Sequence, residues 1–173
     1  MSVTEGLPQG APAPADLPAS FFHVGIVVED IKLAIARYSE VFGITFSEPE
    51  TAVIPYLADP DPAPGPVEQV VAFARTAPPF YQLIQARDSG VFGPEGLGRV
   101  LYYGYWETDM AARIARLEEL GIGIDARLAA GPDVLPYAVI TAPDLLGVRV
   151  QYVNPSLHPS LYEEQPAGAE GVE

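Results

Sequence analysis

Cysteine is absent from the 173-residue chain, and positive charge is scarce. Without cysteine there is no disulfide framework, thiolate nucleophile, Cys-ligated zinc site or iron–sulfur cluster. Lys and Arg number 9 against 23 Asp and Glu, which gives a formal net charge of -14. Such a surface repels nucleic-acid backbones and anionic lipids. The composition therefore predicts no nucleic-acid partner and no membrane partner, and it limits the donors for any metal to histidine, carboxylates and neutral oxygens.

Long apolar runs are also missing, since none approaches the ~20 residues that a membrane span needs. The first twenty residues have neither the basic n-region nor the apolar h-region of a signal peptide. The sequence therefore predicts a cytoplasmic protein. Hydrophobic residues nevertheless make up 49% of the chain, which is enough to bury a core of ordinary size.

Proline and glycine, 19 and 16 in number, concentrate between and outside the apolar segments. They predict a Pro/Ala-rich N-terminal arm over 1–20, a linker over 88–99 and an acidic C-terminal tail over 156–173. The tail is either a free terminus or docks through its leucines and tyrosine. A Pro-rich loop over 55–66 is either a lid over a pocket or a plain surface insertion.

Two segments, 21–87 and 100–155, share one order of elements. Each opens with an apolar run suited to a buried strand, FFHVGIVV or VLYYGYW, and continues into an amphipathic helix. Asp30 is placed to cap the first helix and Gly43 to end it, and Gly121 ends the second.

The two helices also match residue by residue, at an offset of 79: Asp30 matches Asp109, and Glu40 matches Glu119. Three strand-like runs follow each helix, namely ITFSE, EQVVAFAR and PFYQLIQA in the first half and IDARLA, PYAVITA and GVRVQYVN in the second. The sequence therefore predicts an α+β fold of two tandem βαβββ modules.

This pattern resembles the vicinal oxygen chelate superfamily, the fold of glyoxalase I, methylmalonyl-CoA epimerase, extradiol dioxygenases and bleomycin-resistance proteins. The motifs that carry the resemblance are His23 with Asp30 seven residues later, Phe42-Gly43, FGPEGLGRVLYYGYW, Leu120-Gly121 and GVRVQYVNP. It covers residues 21–155. It implies a cup-shaped mixed sheet that encloses a pocket, and from it alone we expect a homodimer. The modules close on each other either within one chain or between chains.

The resemblance also implies a metal site on the first and last strand of each module. Its four positions fall here on His23, Gln82, Tyr103 and Gln151, where the family usually has histidine in place of Tyr103 and glutamate in place of Gln151. One imidazole, two amides and a phenol are weak donors for a divalent ion. We therefore expect no cofactor. The alternative is a weakly held divalent metal on these four residues, with an ionised Tyr103 or with Glu107 or Tyr102 in place of a lost ligand.

His23, Tyr103 and Glu107 are the predicted catalytic residues. Imidazole alone titrates near neutrality, so His23 would be the general base or acid, while Tyr103 would donate to a developing enolate or alkoxide. Each has a structural alternative: a hydrogen-bonded core histidine, a packing aromatic and, for Glu107, a first-turn acid favoured by the helix dipole.

Gln82, Tyr105, Arg149 and Gln151 are the predicted substrate-binding residues. Together with apolar neighbours on the same strand faces, they predict a cup for a small, mostly apolar molecule that bears one or two oxygens. For Arg149 the alternative is an ion pair with a surface acid.

Three functions are open. The leading one is a metal-free isomerase, epimerase, cyclase or dehydratase that does acid–base chemistry next to a carbonyl, with specialised metabolism as a setting. The second is a binding or self-resistance protein of the bleomycin-resistance type. The third is a metal-dependent glyoxalase, epimerase or dioxygenase. A CoA thioester is disfavoured because four of the nine basic residues, Lys32, Arg37, Arg113 and Arg116, lie on the predicted helices, outside the cup.

Overall fold

The structure is a computed structural model that describes residues 21–60, 65–144, 146–154 and 156–157. The predicted arm and nearly all of the predicted tail lie outside the described residues. The described elements are β1 (Phe21–Val28), α1 (Ile31–Phe42), β2 (Glu50–Ala58), β3 (Gly65–Phe73), β4 (Phe80–Gln85), a 3₁₀ helix (Pro94–Gly96), β5 (Val100–Trp106), α2 (Met110–Glu119), β6 (Ile124–Ala129), β7 (Ala138–Thr141) and β8 (Arg149–Val153). The predicted α+β fold of two βαβββ modules is confirmed.

The eight strands form a closed barrel in the order β1-β4-β3-β2-β6-β7-β8-β5. The first module supplies β1 to β4 and the second supplies β5 to β8. The modules meet along two antiparallel seams, β1 with β5 and β2 with β6. The cup implied by the resemblance is therefore closed within one chain, and its inner face is the inside of a barrel.

Both helices pack on the outside of this barrel and begin as the sequence predicts. The Oδ1 of Asp30 accepts a hydrogen bond of 2.9 Å from the Leu33 N–H, and Asp109 accepts the equivalent bond from the Ala112 N–H. A cap of this kind stabilises a helix by about 1 kcal/mol. Gly43 ends α1 in the left-handed conformation, with φ 67°. No helix in the described part of the chain is long and apolar enough to cross a membrane.

The second strand lies later in the chain than the sequence predicts. ITFSE makes only a single bridge, at Phe46, and β2 runs instead through the start of the predicted Pro-rich loop. Pro55 is tolerated because the β2–β3 register shifts between Ile54 and Leu57, and such an irregularity is where a strand accommodates a residue without an N–H. Both ends of the predicted loop thus belong to strands, and 61–64 lie outside the described residues.

Candidate functional site

A glycine on β5 lets a histidine reach across the seam between the two modules. Gly104 pairs with His23 of β1 on one side and with Gln151 of β8 on the other. A Cβ atom at Gly104 would overlap the imidazole, so only glycine leaves room for this ring. His23 Nε2 lies 2.9 Å from Gln151 Oε1. Because the amide oxygen accepts, the imidazole proton is assigned to Nε2.

A second glycine, on β1, makes room for a ring that comes from β5, just as Gly104 on β5 makes room for the ring of His23. Gly25 pairs with Tyr102 of β5 and with Gln82 of β4, and a Cβ atom here would overlap the phenol ring. The Tyr102 hydroxyl donates a 2.9 Å hydrogen bond to Gln82 Oε1. Two hydrogen bonds thus cross the seam in opposite directions. We call their four residues, His23, Gln82, Tyr102 and Gln151, the crossed quartet.

The internal repeat accounts for this symmetry. The 79-residue offset that relates the two helices also relates His23 to Tyr102 and Gly25 to Gly104. Tyr102 therefore occupies in the second module the position that His23 occupies in the first. From the sequence, Tyr102 is considered only as a substitute metal ligand and is left out of the predicted site residues, although the offset applied to His23 identifies it.

Burial controls the charge of His23. The residue is 1% exposed, and its ring centroid lies 4.0 Å from that of Phe22 and 5.9 Å from that of Phe80. Desolvation lowers its pKa from 6.5 to about 3, and the hydrogen bond to Gln151 opposes that shift only in part. The imidazole is therefore neutral at physiological pH. Its Nδ1 has no hydrogen-bond partner among the described residues.

The other three members of the crossed quartet line an internal cavity of about 40 Å³. The remaining lining residues are Ala52, Ile54, Gln69, Val71, Phe73, Ile84, Phe92, Leu128, Tyr137 and Ala138. The volume suffices for a water molecule, whose minimum requirement is about 10–15 Å³. His23 lies behind this lining. A larger depression, of about 520 Å³, lies on the outer side of the barrel between β1 and α1 and contains no member of the quartet.

The two crossing hydrogen bonds also orient the glutamine amides. Gln82 and Gln151 each use Oε1 as an acceptor, which leaves Nε2 as the free end of each amide. Among the described residues, neither nitrogen makes a hydrogen bond. The cavity is therefore bordered by two amide groups whose remaining capacity is that of donors.

Tyr103 and Tyr105 lie on the opposite face of β5 from His23. Their ring centroids are 5.9 and 5.3 Å from that of Phe21, on the outer side of the barrel. Side chains alternate along a strand, so the inward positions of β5 are Tyr102 and Gly104. The expectation that Tyr103 and Tyr105 share the cup with His23 is wrong, and this placement does not support their predicted roles.

Glu107 and Arg149 also lie outside the internal cavity. Glu107 accepts hydrogen bonds from the Asp109 N–H at 2.9 Å and from Arg113 Nε at 2.6 Å, at the start of α2. Arg149 forms an ion pair of 2.9 Å with Asp125 at one end of the barrel. Arg149 thus takes its structural alternative, an ion pair with an acid. Glu107 precedes the N-cap Asp109 and pairs with Arg113, so it is not a first-turn acid.

The crossed quartet does not fit the divalent metal that the superfamily resemblance implies. It contains no carboxylate, its imidazole is protonated on the nitrogen that faces Gln151, and its phenol and amide oxygens are engaged with each other. Divalent ions require anionic or unprotonated imidazole donors to replace their hydration. Elsewhere in the described part of the chain, no cluster of three or more His, Asp or Glu side chains is placed to hold a metal.

A closed barrel of two βαβββ modules, with polar side chains meeting at their seam, defines the class of glyoxalase-like proteins. The family model described as Glyoxalase/Bleomycin resistance protein/Dioxygenase superfamily matches residues 22–134, and the chain belongs to this superfamily. The resemblance to the vicinal oxygen chelate fold is thereby confirmed. No curated protein matches the chain by sequence.

Solved structures share the fold at low sequence identity. A variant of the methylmalonyl-CoA epimerase of Streptomyces coelicolor, in complex with 2-nitronate-propionyl-CoA, is 16% identical with a TM-score of 0.53, and the match covers 78% of this chain and 96% of that one. The methylmalonyl-CoA epimerase of Mycobacterium tuberculosis is 19% identical with a TM-score of 0.55, over 82% and 91% of the two chains. At this identity the likeness shows the fold alone.

Proposed function

We propose that the barrel binds a small, mostly apolar carbonyl compound and polarises its oxygen without a metal, as an isomerase- or epimerase-like enzyme. The observation that carries the proposal is the pair of glutamine amides whose nitrogens are left as donors beside one cavity. Preorganised hydrogen-bond donors stabilise the negative charge that develops on the carbonyl oxygen when a proton leaves the adjacent carbon. A water molecule at the cavity takes that proton, because the lining itself holds no basic side chain.

Each member of the crossed quartet has a distinct part in this proposal. Gln82 and Gln151 hold the ligand oxygen, and Tyr102 fixes the amide of Gln82 by donating its hydroxyl proton to Oε1. His23 is a positioning residue, because its Nε2–H fixes the amide of Gln151 and its ring does not reach the cavity. The roles predicted for Gln82 and Gln151 are thus kept, and that of His23 is changed.

Ligand entry requires the cavity to widen, since about 40 Å³ holds little more than water. Phe92 is the lining residue that comes from the linker between β4 and β5, whereas the others lie on strands or directly before one. We propose that a ligand displaces the Phe92 ring. Phe92→Ala is expected to admit larger ketones than the native chain, which a thermal-shift series of ketones of increasing length measures.

A second candidate function is binding without turnover, as in a self-resistance protein. The lining favours it in one respect: it contains no carboxylate, histidine or lysine that would serve as a general base. A homodimer, a cytoplasmic location and the low suitability of CoA thioesters stay predictions from the sequence.

Proton exchange separates the two candidates. Small ketones are incubated with the protein in D2O, and loss of the α-proton signal is followed by NMR. An enzyme of the proposed kind accelerates this exchange, and Gln82→Met with Gln151→Met abolishes the acceleration, while the outward Tyr103→Phe leaves it unchanged. Binding shifts without exchange favour sequestration. Exchange that survives the double glutamine variant contradicts the proposed site.

A further inference from the structure

Gln69 on β3 is a buried polar residue that takes no part in the crossed quartet. It is 3% exposed and lines the same internal cavity as Gln82 and Gln151. Its Nε2 donates to the backbone oxygen of Gln85 at 2.7 Å and to that of Val70 at 3.4 Å. Both amide hydrogens therefore point at the backbone.

This anchoring leaves the Gln69 carbonyl oxygen without a partner. Oε1 is buried and makes no hydrogen bond among the described residues. An amide rotation that satisfied it would break the two bonds of Nε2. Buried acceptors are rarely left unpaired, because they lose their hydration without compensation. The strands gain nothing from this oxygen, so its partner is expected to come from what fills the cavity.

We propose that Gln69 determines specificity by accepting a hydrogen bond from a hydroxyl or N–H group of the ligand. This inference rests on the proposed function of the cavity, in which Gln82 and Gln151 donate to a ligand oxygen. The cavity would then offer a ligand two amide nitrogens that donate hydrogen bonds and one amide oxygen that accepts one. The ligand class is thereby narrowed from small carbonyl compounds to those that carry a donor next to the carbonyl, such as hydroxyketones.

Water is the competitor for this position, since the cavity has room for one molecule. A ligand that lacks a donor either displaces that water, and leaves Oε1 unpaired, or binds beside it in less space. Loss of one neutral hydrogen bond in a buried site corresponds to about 10- to 100-fold in affinity.

The test compares hydroxyacetone with methoxyacetone, two probes that share a carbonyl and differ in the donor. Titration of ¹⁵N-labelled protein is followed through the side-chain amide signals of Gln82 and Gln151. We expect hydroxyacetone to bind at least 10-fold more tightly, Gln69→Met to remove this preference, and Gln85→Met, whose side chain lies outside the cavity lining, to keep it.

Each outcome decides a separate point. Equal affinity of the two probes for the native protein, or an unchanged preference in Gln69→Met, overturns the role of Gln69 and leaves the proposed function standing. A preference for methoxyacetone does the same. If neither probe moves the amide signals of Gln82 and Gln151, the proposed function fails and the inference fails with it. The comparison of the two probes on the native chain stands even where the Gln69 variant does not fold.

Discussion

The two halves of the crossed quartet have the same geometry and different chemistry. His23 and Tyr102 hold equivalent positions in the two modules, each beside a glycine of the other module, and each forms a 2.9 Å hydrogen bond to a glutamine. The phenol has one polar atom, which the bond uses. The imidazole has two, and Nδ1 stays unpaired among the described residues.

The barrel therefore determines where these side chains lie, and the residue type determines which hydrogen bonds each of them can form or which ligands it can bind. Gly25, Gly104 and the seam between the modules bring the four side chains of the quartet together. In place of the metal ligands that the resemblance implies, this chain has neutral hydrogen-bonding groups at the seam, with Tyr102 and not Tyr103 among them. The largest test of this difference is to exchange one chemistry for the other.

Tyr102→His combined with Gln151→Glu is expected to create a divalent metal site with His23 and Gln82. The two changes supply an imidazole and a carboxylate, and they remove the phenol and amide that engage their neighbours. We expect Co²⁺ affinity to rise by at least about 1,000-fold, or about 4 kcal/mol, as measured by calorimetry and by the visible spectrum of the bound ion. The control is Tyr103→His with Gln151→Glu, which places the new imidazole on the outer face. Equal Co²⁺ affinity in the control would falsify the assignment of Tyr102.

Gly104→Ala and Gly25→Ala are expected to damage the two halves equally. In each, the new Cβ overlaps the ring that lies across the strand. Overpacking of this kind costs up to about 3 kcal/mol of unfolding free energy, which urea denaturation measures. Gly65→Ala is the control, because nothing lies within 4 Å of its Cβ. Adding His23→Ala to Gly104→Ala should recover part of the loss, and strict additivity of the two changes would contradict the ring overlap.

Lowering the pH should destabilise the protein through His23 and not through Tyr102. The folded pKa of His23, about 3, lies below its usual 6.5, so this residue's contribution is complete above pH 6.5 and is lost as pH falls toward 3. In that window the unfolded chain binds one more proton, which lowers stability by about 1.4 kcal/mol per pH unit, or about 2 kcal/mol between pH 6.5 and 5. Urea denaturation at a series of pH values should show this slope. The chain has one other histidine, His158. The slope should vanish in His23→Gln and persist in His158→Gln, and a slope that survives in His23→Gln rules out the assignment.

The smallest expected effect separates the two faces of β5. Tyr102→Phe removes a buried hydrogen bond and should lower the unfolding free energy by about 1 kcal/mol, whereas Tyr103→Phe on the outer face should change it by less than about 0.5 kcal/mol. Denaturation of the two variants side by side provides the measurement. Equal losses would mean that the Tyr102 hydroxyl contributes nothing particular.

The sequence predicts the repeat and the helices well because caps and apolar spacing are local signals. It fails at the orientation of β5, where tyrosines occupy both faces of VLYYGYW and aromatic character does not indicate the side. Gly104 resolves that ambiguity only when His23 is known to lie opposite. The position of β2 is obscured because Pro55 is typical of loops, and the bulge that accommodates it depends on β3.

Local sequence patterns also do not predict the size or the lining of the cavity. Closure of the barrel depends on the seam between β2 and β6, and the cavity is lined in part by Phe92 from the linker. The unpaired Oε1 of Gln69 arises from a contact with the backbone of Gln85, 16 residues later. Such features follow from tertiary contacts, which periodicity does not encode.

The crossing of the seam makes each module an incomplete half. A separated first module would expose β1 and β2 as sheet edges and leave the Nε2–H of His23 without its acceptor, while a separated second module would leave the Tyr102 hydroxyl in the same state. Each module thus needs the other, as the subunits of an obligate dimer do, although both belong to one chain. A cut in the linker is therefore expected to yield a heterodimer whose interface is the site itself.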